Sequence, residues 1–139
     1  MALTDIESAV FSPISQDFRA AYPNGSCYGE ITEAPANFPA LIIYEADRAS
    51  TEYTGLDAER LVFDVDVYSN LTSGAKQECK DIIGIVENRL MSFGKWELVF
   101  CEQLKNADQR IFRMKARYRC TAVQEEDTDG NVVVRIYRR

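Results

Sequence analysis

Two rows of charged side chains are the residues in this sequence whose types and spacing could support chemistry. Asp64 and Asp66 stand two apart, a spacing that puts both carboxylates on one face of a strand. Paired carboxylates can hold a cation or divide acid and base roles between them. Arg113, Lys115, Arg117 and Arg119 repeat at the same spacing and present four cations to one side. If the two strands are neighbours, the rows share a face and neutralise each other as cross-strand ion pairs, the reading favoured over a metal or acid–base site. Ion pairs exposed to water contribute roughly 0–1 kcal/mol each, so their value lies in register and specificity. The basic row is not a stacking platform for nucleic acid either. Tyr118 falls on the opposite face, and stacking needs aromatics beside the charges.

Other chemistry is harder to place. The sequence has no histidine, which removes Ser–His and Cys–His nucleophilic pairs. Neither G-x-S-x-G nor a Walker A motif occurs, and the glycines are scattered. Cys27, Cys79, Cys101 and Cys120 lie far apart, so a zinc site would need distant thiols to converge without an imidazole. They read as small buried residues in a reducing compartment. Phe11, Phe18, Phe63, Trp96, Phe100, Phe112 and Tyr118 fall where core residues are expected, which favours packing over a ligand pocket. No enzyme activity, cofactor or metal is expected.

Positioning these rows requires one ordinary domain, spanning residues 1–139. Hydrophobic residues make up 46% and charged residues 27%, which suits a globular core without staples. No basic leader precedes an apolar stretch at the start, and no apolar run is long enough to cross a membrane, so a chain made in the cytoplasm is expected. The net charge of −6 argues against a groove that grips DNA. That charge is divided unevenly. Residues 1–70 carry twelve acidic and three basic side chains, a net of −9; residues 71–139 carry ten acidic and thirteen basic, a net of +3. An acidic strand could meet a basic one within the fold, or an acidic flank of one subunit could meet a basic flank of the next.

The elements follow from periodicity. Thr4 and Glu7 form a capping-box pattern that starts a helix at Asp5, and Ile6, Val10, Ile14 and Phe18 share one helical face. Pro13 is expected to bend or divide it. Cys27–Ile31 reads as a short strand, and Ala40–Asp47 as a buried one. Arg48–Ala58 is polar without clear period, a long connection or extended hairpin arm. Arg60–Tyr68 alternates, with Leu61, Phe63, Val65 and Val67 on the buried side. Ser73 or Gly74 caps a helix over about Ala75–Ser92, striped by Cys79, Ile82, Ile83, Val86 and Leu90. Gly94 ends it in a left-handed conformation. Trp96–Gln103 and Ile111–Val123 read as strands, the first alternating Trp96, Leu98 and Phe100 with Glu97, Val99 and Cys101. Asp129-Gly130 turns the chain into a last strand, Val132–Tyr137. The expected fold is α+β, a mainly antiparallel sheet with two helices packed on one face.

The run Phe63-Asp64-Val65-Asp66-Val67-Tyr68-Ser69-Asn70, then Ser73-Gly74-Ala75-Lys76 and a helix ending Met91-Ser92-Phe93-Gly94, resembles the centre of tail-terminator and tail-completion proteins of long-tailed phages and phage-like particles. The flanking Ala21-Tyr22-Pro23, Phe38-Pro39-Ala40, Arg113–Ala122 and Ile136-Tyr137-Arg138-Arg139 extend the likeness over nearly the whole chain. The resemblance implies a virion protein that forms a ring, commonly hexameric, on the head-proximal end of the tail tube. Such a ring ends tail growth and docks the neck. The implied partners are further copies of the chain, the tube protein, a neck or head-completion protein and, in a contractile particle, the sheath. DNA would cross the lumen without specific binding, and no membrane is involved. A head-completion or neck adaptor is the alternative within the same class, and a small-molecule-binding or catalytic α+β domain the alternative outside it. The expected subunit-interface or lumen surface comprises Arg48, Glu52, Tyr53 and Asp57 on the arm, Asp64 and Asp66, and Arg113, Lys115, Arg117 and Arg119.

Overall fold

A computed structural model describes residues 6–30, 35–53, 56–106, 108–126 and 132–137. Helix α1 (Ile6–Ala21) leads to strands β1 (Ser26–Tyr28), β2 (Ala40–Tyr53) and β3 (Leu56–Ser69). Helix α2 (Ala75–Phe93) follows, then β4 (Glu97–Leu104), β5 (Phe112–Glu126) and β6 (Val132–Tyr137). The sheet runs β1-β2-β3-β5-β4, with β6 also on β5. β1 is parallel to β2, and every other pair is antiparallel. β4 pairs with Arg113–Arg119 of β5 and β6 with Thr121–Glu126, while β3 takes the other side of β5. β4 and β6 therefore lie end to end along one edge. The fold is α+β, as the alternating and helical patterns predict.

Both helices pack on the same side. Their apolar stripes, Ile6, Val10, Ile14 and Phe18 from α1 and Cys79, Ile82, Ile83, Val86 and Leu90 from α2, join one core. The sheet contributes Leu61, Phe63, Val65 and Val67 from β3 and Met114, Ala116, Tyr118, Cys120 and Ala122 from β5. Phe63 meets Trp96 edge to face, with centroids 5.4 Å apart. An Asp17–Arg89 pair with two 2.8 Å hydrogen bonds ties α1 to α2.

Several expectations are corrected. α1 is continuous through Pro13. A proline inside a helix costs about 3 kcal/mol. Burying four large side chains contributes about 1.5–3 kcal/mol each, and Ile6, Val10, Ile14 and Phe18 are all 2% exposed or less, so packing wins. Thr4 of the expected capping box and Asp5, the expected helix start, lie outside the described residues. The described Glu7 carboxylate accepts the Glu45 backbone N–H, Oε2 to N 2.7 Å, beside a bulge in β2 between Glu45 and Asp47.

Of the two readings of Arg48–Ala58, a long connection or an extended hairpin arm, the second holds: β2 and β3 run on as antiparallel strands to the pair Tyr53↔Leu56. The first short strand is Ser26–Tyr28, with Ile31 outside the described residues. Asp129-Gly130 also lies outside them, but β6 occupies the expected Val132–Tyr137. Gly74 caps α2 at φ 82. Gly94 ends it at φ 157, ψ −155, outside the left-handed helical well. Glycine is required there by contact as well, because a Cβ would sit 2.6 Å from the Ile136 carbonyl oxygen.

Candidate functional site: the charged sheet face

The sheet face away from the helices gathers the two charged rows. Antiparallel pairing of β3 with β5 sets Asp64 opposite Arg117 and Asp66 opposite Lys115. Arg117 donates to Asp64 through Nε at 2.7 Å and Nη2 at 3.0 Å. Lys115 Nζ reaches Asp64 diagonally at 3.4 Å. Arg113 donates to Asp66 Oδ1 through Nε at 3.2 Å and Nη2 at 3.0 Å. The Tyr44 hydroxyl donates to Asp64 at 3.5 Å, a long contact. Two aromatic rings complete the face: Arg113 lies over Tyr68 and Arg117 over Phe100, each 5.3 Å from the ring centroid.

The carboxylates differ from an exposed row. Asp64 is 2% and Asp66 4% exposed, beneath cations that keep some contact with water. Burial pushes the Asp64 carboxyl up, but hydrogen bonding to Arg117 and the charge of Lys115 outweigh it and hold it below its ordinary range. A carboxylate held ionised and wrapped by two cations is badly placed to donate a proton. Among the described residues, no group of three or more Cys, Asp or Glu is placed to hold a metal ion. The acidic–basic asymmetry of the sequence is thus partly met within the single chain.

The other expected surface residues divide. Arg119 joins the charged face through Glu97 of β4, 2.8 Å away. Arg48 stands opposite Leu61, a core residue, and so belongs to the helix side. There it bridges Glu45 at 2.7 Å and Glu59 at 3.2 Å. Glu52 and Asp57 pair in register near the arm's end, next to Tyr53, and the side chains of all three lie outside the described residues. The structure therefore brings together Asp64, Asp66, Arg113, Lys115, Arg117 and Arg119, and separates Arg48 from them.

Sequence reasoning missed Phe100 and Cys101. A bulge between Leu98 and Phe100 adds one residue to β4 and reverses the parity beyond it. Phe100 consequently leaves the core for the charged face, and Cys101 is exposed. β4 begins at Glu97, with Trp96 buried just before it. The other thiols fit the expectation better. Cys79 and Cys120 are buried, and burial pushes Cys79 up to about 12 and raises Cys120 as well. Cys27 is half-buried and also raised by burial.

The described surface offers open hollows. One of about 750 Å³ runs between the β3–α2 loop (Leu71, Thr72) and the β4–β5 turn (Lys105, Arg110, Ile111). Another, of about 420 Å³, lies on the charged face among Asp47, Arg60, Val62, Arg119 and Thr121. No helix of the described residues is long and apolar enough to cross a membrane.

No family model matches this sequence, and no curated protein does. Solved structures do. The chain shares its fold with a chain in the virion of a native gene transfer agent particle. The TM-score is 0.56 at 14% identity, over 76% of this chain and 88% of that one. At that identity the likeness is one of fold.

Proposed function

We propose that this chain is a non-catalytic structural component of a phage or phage-like particle, and that its role is tail terminator. It would form a ring, of six copies on the family pattern, at the head-proximal end of the tail tube. The ring would end tube growth and offer its upper face to the neck. Its partners would be its own copies, the tube protein, a neck protein and, if the tail contracts, the sheath.

The observation that carries this reading is the fold shared with a gene transfer agent virion chain, of which 88% is matched. The sequence resemblance around Phe63–Asn70 supports it independently, because those residues form the end of β3 that feeds the loop into α2. The charged face supports a non-catalytic role: its two buried carboxylates are engaged by Arg113, Lys115 and Arg117. The net charge of −6 suits a ring whose wall repels DNA, so DNA would slide past it.

Labelling particles with an antibody or small tag on this chain tests the assignment. The expected label is a single position at the junction of tail and head. Label along the tube, or on the head shell, would refute it, and label retained on tail-less heads would assign the chain to the neck.

A further inference from the structure

We propose that the hollow on the charged face between β2, β3 and β5 is a carboxylate site, formed by Arg60, Arg119 and the Thr121 hydroxyl, and that its occupant is an aspartate or glutamate side chain of a second copy of this chain. The proposal rests on the ring reading and names a contact between its copies.

The sheet register builds the site. Arg60 stands opposite Thr121, and Val62 opposite Arg119. The two arginines are therefore diagonal neighbours across β3 and β5, a separation that long side chains span. Thr121 lies two residues from Arg119 and shares its face. All four line a hollow of about 420 Å³, with Asp47 and Ala49 of β2 on its far side.

Each of the three donors has capacity to spare. Along the basic row, Arg113 is matched by Asp66, Lys115 and Arg117 by Asp64, and Arg119 by Glu97. Arg60, exposed on the same face, is not matched. Its register partners are Ala49 and Thr121, and it joins none of the ion pairs among the described residues. Arg119 gives Nε to Glu97 at 2.8 Å, and a guanidinium has five N–H groups, more than one carboxylate takes. Thr121 is 1% exposed, and its hydroxyl has no hydrogen-bond partner among the described residues. Buried hydroxyls nearly always have one, and an acceptor seated in the hollow supplies it. Two guanidinium forks and a hydroxyl around one hollow suit a planar carboxylate.

The charges around the site select its occupant. Asp47 lines the hollow, and Glu97 already sits on Arg119. Both repel a phosphate dianion or the dense charge of DNA more than a single carboxylate. The chain itself is rich in that group. It carries 22 acidic and 16 basic side chains, so several carboxylates of every copy have no cation of their own, and residues 1–70 hold the surplus at a net of −9. A copy brought alongside offers the anion that Arg60 lacks, and such a pair fixes register and partner choice.

Sedimentation of the full chain over a concentration series, with melting curves as a check on folding, tests the site. The native chain is expected to form one multi-copy species. Arg60→Gln should weaken its association about ten- to a hundredfold, as for a charged hydrogen bond lost from each contact, and Arg60→Glu should abolish it. Thr121→Val should also weaken it while melting no lower than the native chain, an outcome that a merely structural hydroxyl would not give. Lys76→Gln, the same loss of charge on exposed α2 surface, should keep it. Association unchanged by Arg60→Glu overturns the site and leaves the ring standing. Native association in Thr121→Val overturns the three-donor arrangement. A DNA duplex retained by the native chain but not by Arg60→Glu overturns the carboxylate in favour of phosphate. A native chain that stays single at every concentration overturns the second copy as occupant, and the role is then judged by tail length alone.

Discussion

Arg117 grips Asp64 with two hydrogen bonds, 2.7 and 3.0 Å, from the strand directly opposite, and Lys115 closes on the same carboxylate from the side. A charge on a sheet face is usually half in water. Here the acid is buried and the bases stand above it, so the pair fixes the β3–β5 register from beneath.

The first expected outcome concerns that pair. Asp64→Asn keeps the shape and removes the anion, leaving two cations without it. Breaking a buried pair costs about 3–5 kcal/mol. The low end, about 3 kcal/mol, is expected because Arg117 is partly exposed and can turn to water. The loss should depend on pH. The folded-state pKa of Asp64 lies below the ordinary 3.8, so the native advantage is complete above that value. It should fade as pH falls from there through the folded-state value. Denaturant melts of both chains between pH 7 and pH 2 measure it, and a constant gap over that range would contradict it.

Two glycines should respond oppositely to alanine. At Gly94 a Cβ would meet the Ile136 carbonyl oxygen at 2.6 Å on a backbone at φ 157, so Gly94→Ala should destabilise by about 2 kcal/mol or more. Gly84 lies inside α2 with nothing within 4 Å of an added Cβ. Gly84→Ala should therefore stabilise by about 0.5–1 kcal/mol through helix propensity. Thermal melting of the two variants gives both signs in one experiment.

Glu7 joins α1 to the β2 bulge through the Glu45 N–H. Glu7→Ala should cost about 1.5–3 kcal/mol, the range for a hydrogen bond to a charged group. Hydrogen exchange should show the Glu45 amide opening faster, while amides in the centre of α2 follow only the global change.

The four free thiols should react in an order set by exposure and pKa. Cys101 on the β4 edge is exposed and should be labelled first, then Cys27. Cys79, raised to about 12, and buried Cys120 should react only on unfolding. Mass spectrometry of a timed alkylation gives the order.

Much of this was legible because side-chain period equals backbone period. The alternation in Arg60–Tyr68 and Ile111–Val123 named the core faces of β3 and β5 and placed the aspartates and basic residues together. The α2 stripe did the same for its helix. What escaped were places where tertiary packing overrides a local signal. Pro13 breaks an isolated helix but not one anchored by Ile6, Val10, Ile14 and Phe18. The arm over Arg48–Ala58 shows no alternation in polarity, and its strand character comes from backbone pairing with β3, which leaves no mark on residue type. One bulge at Val99 moved Phe100 to the other face, and no residue type announces such an insertion. The depth of Asp64 was illegible too, since a carboxylate reads as exposed until the bases above it are known.

The central claim is that this chain ends tail growth. The most direct measurement is the distribution of tail lengths, by electron microscopy, in particles assembled without it. The account predicts tails of broad and excessive length that fail to join heads, with native length restored when the chain is supplied. Tails of native length, joined to heads or merely detached from them, would contradict it.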